Sequence, residues 1–147
     1  MGSLFLIRHG QASYGQADYD RLSPRGIEQA RALGPALARL ALDAIYVGPH
    51  TRQRQTLEHA RATAELPAGI DHAGLAEYPA FEILKHFVPR LAAEDPKFAQ
   101  LTNAPTPRLL DDAFKRILRM WGEDQWSVPE VERVGGFVAR VTAALEH

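Results

Sequence analysis

Cysteine is absent from this chain. That removes disulfides, thiolate nucleophiles and cysteine-built zinc sites from its repertoire, and it fits a cytoplasmic protein. Charge of one sign is lacking too: Lys+Arg 17 stand against Asp+Glu 18, a formal net charge of -1. Such a balance gives no polyanion-binding face, so nucleic acid is not an expected partner. Lysine is scarce. Lys85, Lys97 and Lys115 are the only ones, and most of the arginines that make up the rest read as solvated helix faces. No apolar stretch approaches the ~20 residues of a membrane span, and no leader pattern precedes the first apolar run. Met1-Gly2 is not a myristoylation signal either, because position 6 is Leu6. No membrane partner is expected. The glycine-rich fingerprints of dinucleotide and triphosphate sites are missing. With no repeat, low-complexity tract or composition shift, the 147 residues read as a single domain able to bury a core.

What is present begins with Leu4-Phe5-Leu6-Ile7, succeeded at once by Arg8-His9-Gly10-Gln11. Four large apolar residues in a row read as a strand covered on both faces, as in a parallel sheet. In open α/β sheets the ligand crevice lies beyond the carboxyl ends of such strands, which is where Arg8, His9 and Gly10 fall. Gly10 permits a sharp turn and close approach of a ligand to the backbone. A cation beside an imidazole at such a place suits a phosphoryl group. Ser23-Pro24 then opens a helix, Ser23 as cap and Pro24 at the first helical position. Ile27, Ala30, Leu33, Leu37 and Leu40 recur at helical spacing behind it. Asp43–Val47 is a second strand, stopped by Gly48-Pro49. Strand, helix and strand make a right-handed parallel unit, and the residues after Val47 can therefore approach His9.

The run Leu6-Ile7-Arg8-His9-Gly10-Gln11 resembles the signature of the histidine phosphatase superfamily, the phosphoglycerate-mutase-like enzymes. Leu22-Ser23-Pro24-Arg25-Gly26 is similar to the family's Leu-Thr/Ser-x-x-Gly segment. Gly48-Pro49-His50-Thr51-Arg52-Gln53-Arg54-Gln55-Thr56 resembles its Ser-Pro-x-x-Arg-x-x-Gln-Thr segment, with Gly48 in place of serine and His50 in place of an apolar residue. The resemblance implies a three-layer α/β/α fold with a mostly parallel central sheet. It makes His9 the catalytic nucleophile and Arg8 and Arg52 the phosphate-binding pair, with Arg52 preferred to Arg54 because residues i and i+2 do not share a helical face. Leu75-x-Glu77 matches the family's Leu-x-Glu, which makes Glu77 the acid and base, with Glu82 as the alternative. Gly10, Gln11 and Gly15 complete the candidate pocket, Gly15 standing where the family usually has asparagine.

The implied reaction is metal-independent hydrolysis of a small phosphomonoester through a phosphohistidine on His9, with no cofactor. Two other readings stay open: a mutase-type phosphotransferase, and a non-catalytic phosphate-binding or interaction protein. The last is motivated by a departure. The family's second His-Gly pair, after a final buried strand, has no counterpart, and His147 lacks both the strand and the glycine. Either the natural chain continues, or the site does without a donor whose loss corresponds to on the order of a hundredfold in rate. The lone histidines His50, His59, His72 and His86 read as surface or core residues rather than metal ligands. Oligomeric state and the identity of the substrate are left open.

From about 79 to 127 the pattern predicts a helical insertion. Phe81, Leu84, Val88 and Leu91 share one spacing, broken at Pro89. Leu110, Ala113, Phe114, Ile117, Leu118 and Trp121 share another. Tyr78, Phe81, Phe87 and Trp126 are candidates for an apolar rim over the crevice. A last helix is expected from the spacing of Val134, Phe137, Val138, Val141 and Leu145.

Overall fold

The computed structural model describes residues 2–13, 15–16 and 18–146, and His147 lies outside them. The chain divides into two compact units, one ending at Ala76 and one beginning at Glu77.

In the first unit, helix α1 spans Pro24–Ala38. Ser23 caps it, its hydroxyl accepting from the Gly26 N–H at 3.1 Å, and Pro24 occupies the first turn as expected. Its buried face is Gly26, Ala30, Gly34 and Leu37, while Leu40 falls beyond the helix and is exposed. Strand β1 (Ile45–Val47) leads through Gly48-Pro49 into helix α2 (Thr51–Arg61), and strand β2 (Gly69–Asp71) comes next. The two strands are parallel, with Ile45, Tyr46 and Val47 opposite Gly69, Ile70 and Asp71. This β-α-β unit is the parallel crossover of the fold. It lies one step later in the chain than the pattern predicts. Helices α1 and α2 pack closely, because Gly34 admits the Ala60 carbonyl to a distance at which any Cβ would collide. Leu37, Ala60 and Leu66 form the small buried core here.

The expected first strand does not form. Leu4–Ile7 carries no strand pairing and its side chains are exposed, Leu6 by 77%. The reason is a missing neighbour: a strand needs a ladder partner and a face to cover, and among the described residues the sheet consists of two three-residue strands.

The second unit is helical. Helix α3 spans Ala80–Glu94, a 3₁₀ segment covers Pro96–Thr102, and helices α4 (Pro107–Gly122) and α5 (Val134–Leu145) complete it. Ile83, Phe87 and Leu91 from α3 pack with Ala113, Ile117, Met120 and Trp121 from α4, closed by Phe98, Leu101, Trp126 and Val131. Two expectations are corrected. Pro89 does not break α3, since it sits on the exposed side, where water can satisfy the carbonyl it leaves without a donor. Phe87 and Trp126 are core rather than rim, both buried with rings 5.4 Å apart. Tyr78 packs on Trp121 and Phe137, and Phe81 alone of the four is widely exposed. Helix α5 docks through Val134 and Phe137 and leaves Val138 and Leu145 in solvent. No helix among the described residues is long and apolar enough to cross a membrane.

Candidate active site

The first unit brings His9 and Arg52 together. Arg52 lies in the first turn of α2, directly after the turn that ends β1, and is 5% exposed. Its Nε donates to His9 Nε2 at 3.2 Å. The other ring nitrogen, Nδ1, lies 2.7 Å from the Gly10 carbonyl oxygen. A carbonyl only accepts and a guanidinium only donates, so the two neighbours together select one tautomer: Nδ1 carries the proton and Nε2 carries the lone pair. The imidazole thus holds the nitrogen with the free lone pair toward a buried cation.

Backbone contacts set this geometry. The Gly10 N–H donates to Thr56 Oγ1 at 3.0 Å, and that hydroxyl donates to the Arg52 carbonyl at 2.7 Å. One buried side chain therefore ties the residue after His9 to the turn of α2 that carries Arg52. Gly10 is required for a second reason: a Cβ there would lie 2.5 Å from the Gly26 carbonyl oxygen, and one on Gly26 would lie 2.2 Å from that of Gln11. The loop after His9 is clamped against the start of α1 at a distance only two glycines allow. Gln11 reinforces the clamp. Its carbonyl accepts from the Ser23 N–H at 2.8 Å, its N–H donates to Gln29 Oε1 at 2.9 Å, and its side chain accepts from the Ser23 hydroxyl at 3.3 Å. Gln55 does the same on the α2 side, accepting from the Leu22 N–H at 2.8 Å.

Asp20 completes the arrangement. Its Oδ1 accepts from Arg52 Nη1 at 2.5 Å and its Oδ2 from the Thr51 N–H at 2.9 Å, at the N-terminus of α2. His50 Nδ1 stands 4.0 Å from Oδ2, and the Tyr19 ring lies 5.6 Å from the Arg52 guanidinium carbon. Burial pushes the Asp20 carboxyl up, but the bonds from Thr51 and Arg52 outweigh it and hold the group below the ordinary carboxylate range.

A model of the histidine phosphatase superfamily (branch 1) matches residues 4–107, well over half of the chain. The chain belongs to that superfamily. Comparison with curated proteins and with solved structures gives no match. The helix-rich chain with its small parallel sheet is consistent with the phosphoglycerate-mutase-like α/β fold of these enzymes. Membership points to phosphatase or mutase-type activity and to phosphate-containing small molecules as ligands.

The remaining candidates fare differently within this histidine phosphatase chain. Arg8 is exposed, with no hydrogen bond among the described residues linking it to His9 or Arg52. Arg54 points away and forms an exposed fork onto Asp71 at 3.1 and 3.3 Å. Gly15 takes a left-handed backbone conformation, φ 79°, in open space, so it shapes a turn. Glu77 is exposed and opens the second unit. Glu82 is paired with Lys85 at 3.2 Å in the first turn of α3. Two residues of the site escape the pattern reading. Thr56 is only the last letter of a motif, and Asp20 belongs to no motif at all. Nothing in the spacing singles out Asp20. Its partner donors come from residues 31 and 32 positions away.

Proposed function

We propose that this chain is a metal-independent phosphomonoesterase that works through a phosphohistidine on His9. The observation that supports it is the imidazole–guanidinium pair: Nε2 of His9 carries a lone pair and faces buried Arg52. In the proposed reaction Nε2 attacks phosphorus in line, a P–N bond forms, and the P–O bond to the leaving alkoxide breaks. Arg52 redirects its donors to the equatorial oxygens, where negative charge is concentrated in the transition state. Arg8, already exposed, reaches the same oxygens from solvent. Glu77 is the proposed acid and base on the strength of the Leu75-x-Glu77 pattern. It gives its proton to the leaving alkoxide, then takes one from the water that cleaves the P–N bond.

Hydrolysis of a generic aryl phosphate tests the proposal. His9→Ala should lower turnover at least about a thousandfold, and Arg52→Ala about a hundredfold or more. Rapid quench with labelled substrate should trap an acid-labile, alkali-stable phosphoryl adduct that His9→Ala cannot form. Turnover that survives His9→Ala overturns the reading. Arg52-dependent phosphate binding with no turnover would favour a non-catalytic phosphate-binding protein. Activity that depends on a bisphosphate primer would favour a mutase.

A further inference from the structure

The buried guanidinium of Arg52 needs a counter-charge, since an isolated ion out of water is costly. Asp20 supplies it. The two donors Asp20 engages, Arg52 Nη1 and the Thr51 N–H, are a guanidinium and a first-turn amide of an eleven-residue helix. Those are donors of the kind a phosphoryl group takes at such a place. A carboxylate and a phosphoryl group cannot both accept from them, being alike in charge and in the donors they need.

We propose that Asp20 is the resident anion of this hollow, the group an incoming phosphoryl group must displace, and hence the residue that sets which anions the site accepts. The inference rests on the reading of Arg52 as a phosphate-binding residue. The carboxylate has a way out. Asp20 lies in the turn before α1, and its side chain is 38% exposed. Among the described residues, the charged and titratable groups facing it are Arg52 from α2, His50 just before that helix, and Tyr19 beside it. Asp18 and Arg21 stand 3.7 Å from one another. A weakly competing anion such as a carboxylic acid substrate meets an equal already seated. A phosphoryl dianion, with more charge and a third oxygen for Arg8 to approach, prevails. The site therefore favours phosphoryl groups over carboxylates.

Titration of the full chain with inorganic phosphate, by calorimetry or by phosphorus magnetic resonance, tests this. Asp20→Asn keeps an oxygen for the Thr51 N–H and removes the charge, and Asp20→Ala removes both. Each folded variant should bind phosphate about tenfold tighter than wild type at neutral pH, the scale of one charge-assisted hydrogen bond no longer contested. Both should also bind acetate measurably, with a smaller phosphate-over-acetate preference. Phosphate affinity unchanged or reduced in either folded variant, while Arg52→Ala still abolishes binding, overturns this inference alone and makes Asp20 a buttress of Arg52. Absence of Arg52-dependent phosphate binding in every chain overturns the underlying site reading with it.

Discussion

Thr56 spends one hydroxyl twice, accepting from the Gly10 amide and donating to the Arg52 carbonyl. Valine has the same shape without the hydroxyl, so Thr56→Val leaves a buried amide with no acceptor. The expected cost is about 1–3 kcal/mol, read as a lower urea midpoint by circular dichroism, and Thr56→Ser should recover most of it. The Asp20–Arg52 pair makes a pH prediction of definite sign. Because the folded carboxyl is held below its ordinary value, its stabilisation is fully present above the unfolded carboxylate range of ~4 and fades as pH falls through the lowered folded value. The difference in urea midpoint between wild type and Asp20→Asn should shrink as pH drops below about 4. At this scale the sequence pattern reaches far where a residue's chemistry is local to a motif. His9 and Arg52 sit in named segments, and the fold puts them in contact. It stops where a partner is remote: Asp20 bonds across a loop whose closure no periodicity encodes. Arg8 shows the reverse. Adjacent in sequence to His9, it is exposed and makes no bond to it.

Among the elements, α1 and α2 carry the fold of the first unit, and their approach depends on missing side chains rather than on large ones. Gly26→Ala would press a methyl into the Gln11 backbone, which has no rotamer with which to yield. The expected loss is about 1–3 kcal/mol in urea unfolding, with phosphate binding weakened because the loop after His9 must shift. The start of α1 is legible from its Ser23-Pro24 cap, and the structure shows the same device, Thr106-Pro107, opening α4 from a stretch that reads as a turn. The buried face of α3, Ile83, Phe87 and Leu91, takes Leu91 from the expected stripe, has Leu84 and Val88 partly buried at its edge, and leaves Phe81 out. Phe81 and Ile83 are equally apolar, and spacing alone does not say which of two adjacent stripes a neighbouring helix will cover. The first strand fails for a cause beyond periodicity. An apolar run states that burial is favourable, and only a partner strand makes it possible.

Across the molecule, the described residues form two hydrophobic cores, one in each unit and unequal in size. The smaller is Leu37, Ala60 and Leu66 with its flanking residues, and the larger centres on Ile83, Phe87 and Ile117. Ile117 has no exposed surface. Ile117→Ala should cost about 2–5 kcal/mol through the cavity it leaves, seen as a lower urea midpoint in tryptophan emission. The match to the superfamily, residues 4–107, runs across the boundary between the units, so the family pattern is not confined to the unit that holds His9 and Arg52.

Trp121 and Trp126 both belong to the larger core. Indole light from this protein is consequently a report on its helical half. Unfolding of that half can be followed by tryptophan emission, whereas occupation of the imidazole and guanidinium is followed most directly at those groups themselves. The resonances of the His9 ring, or a dye placed in the first seventy-six residues, are the windows onto that event.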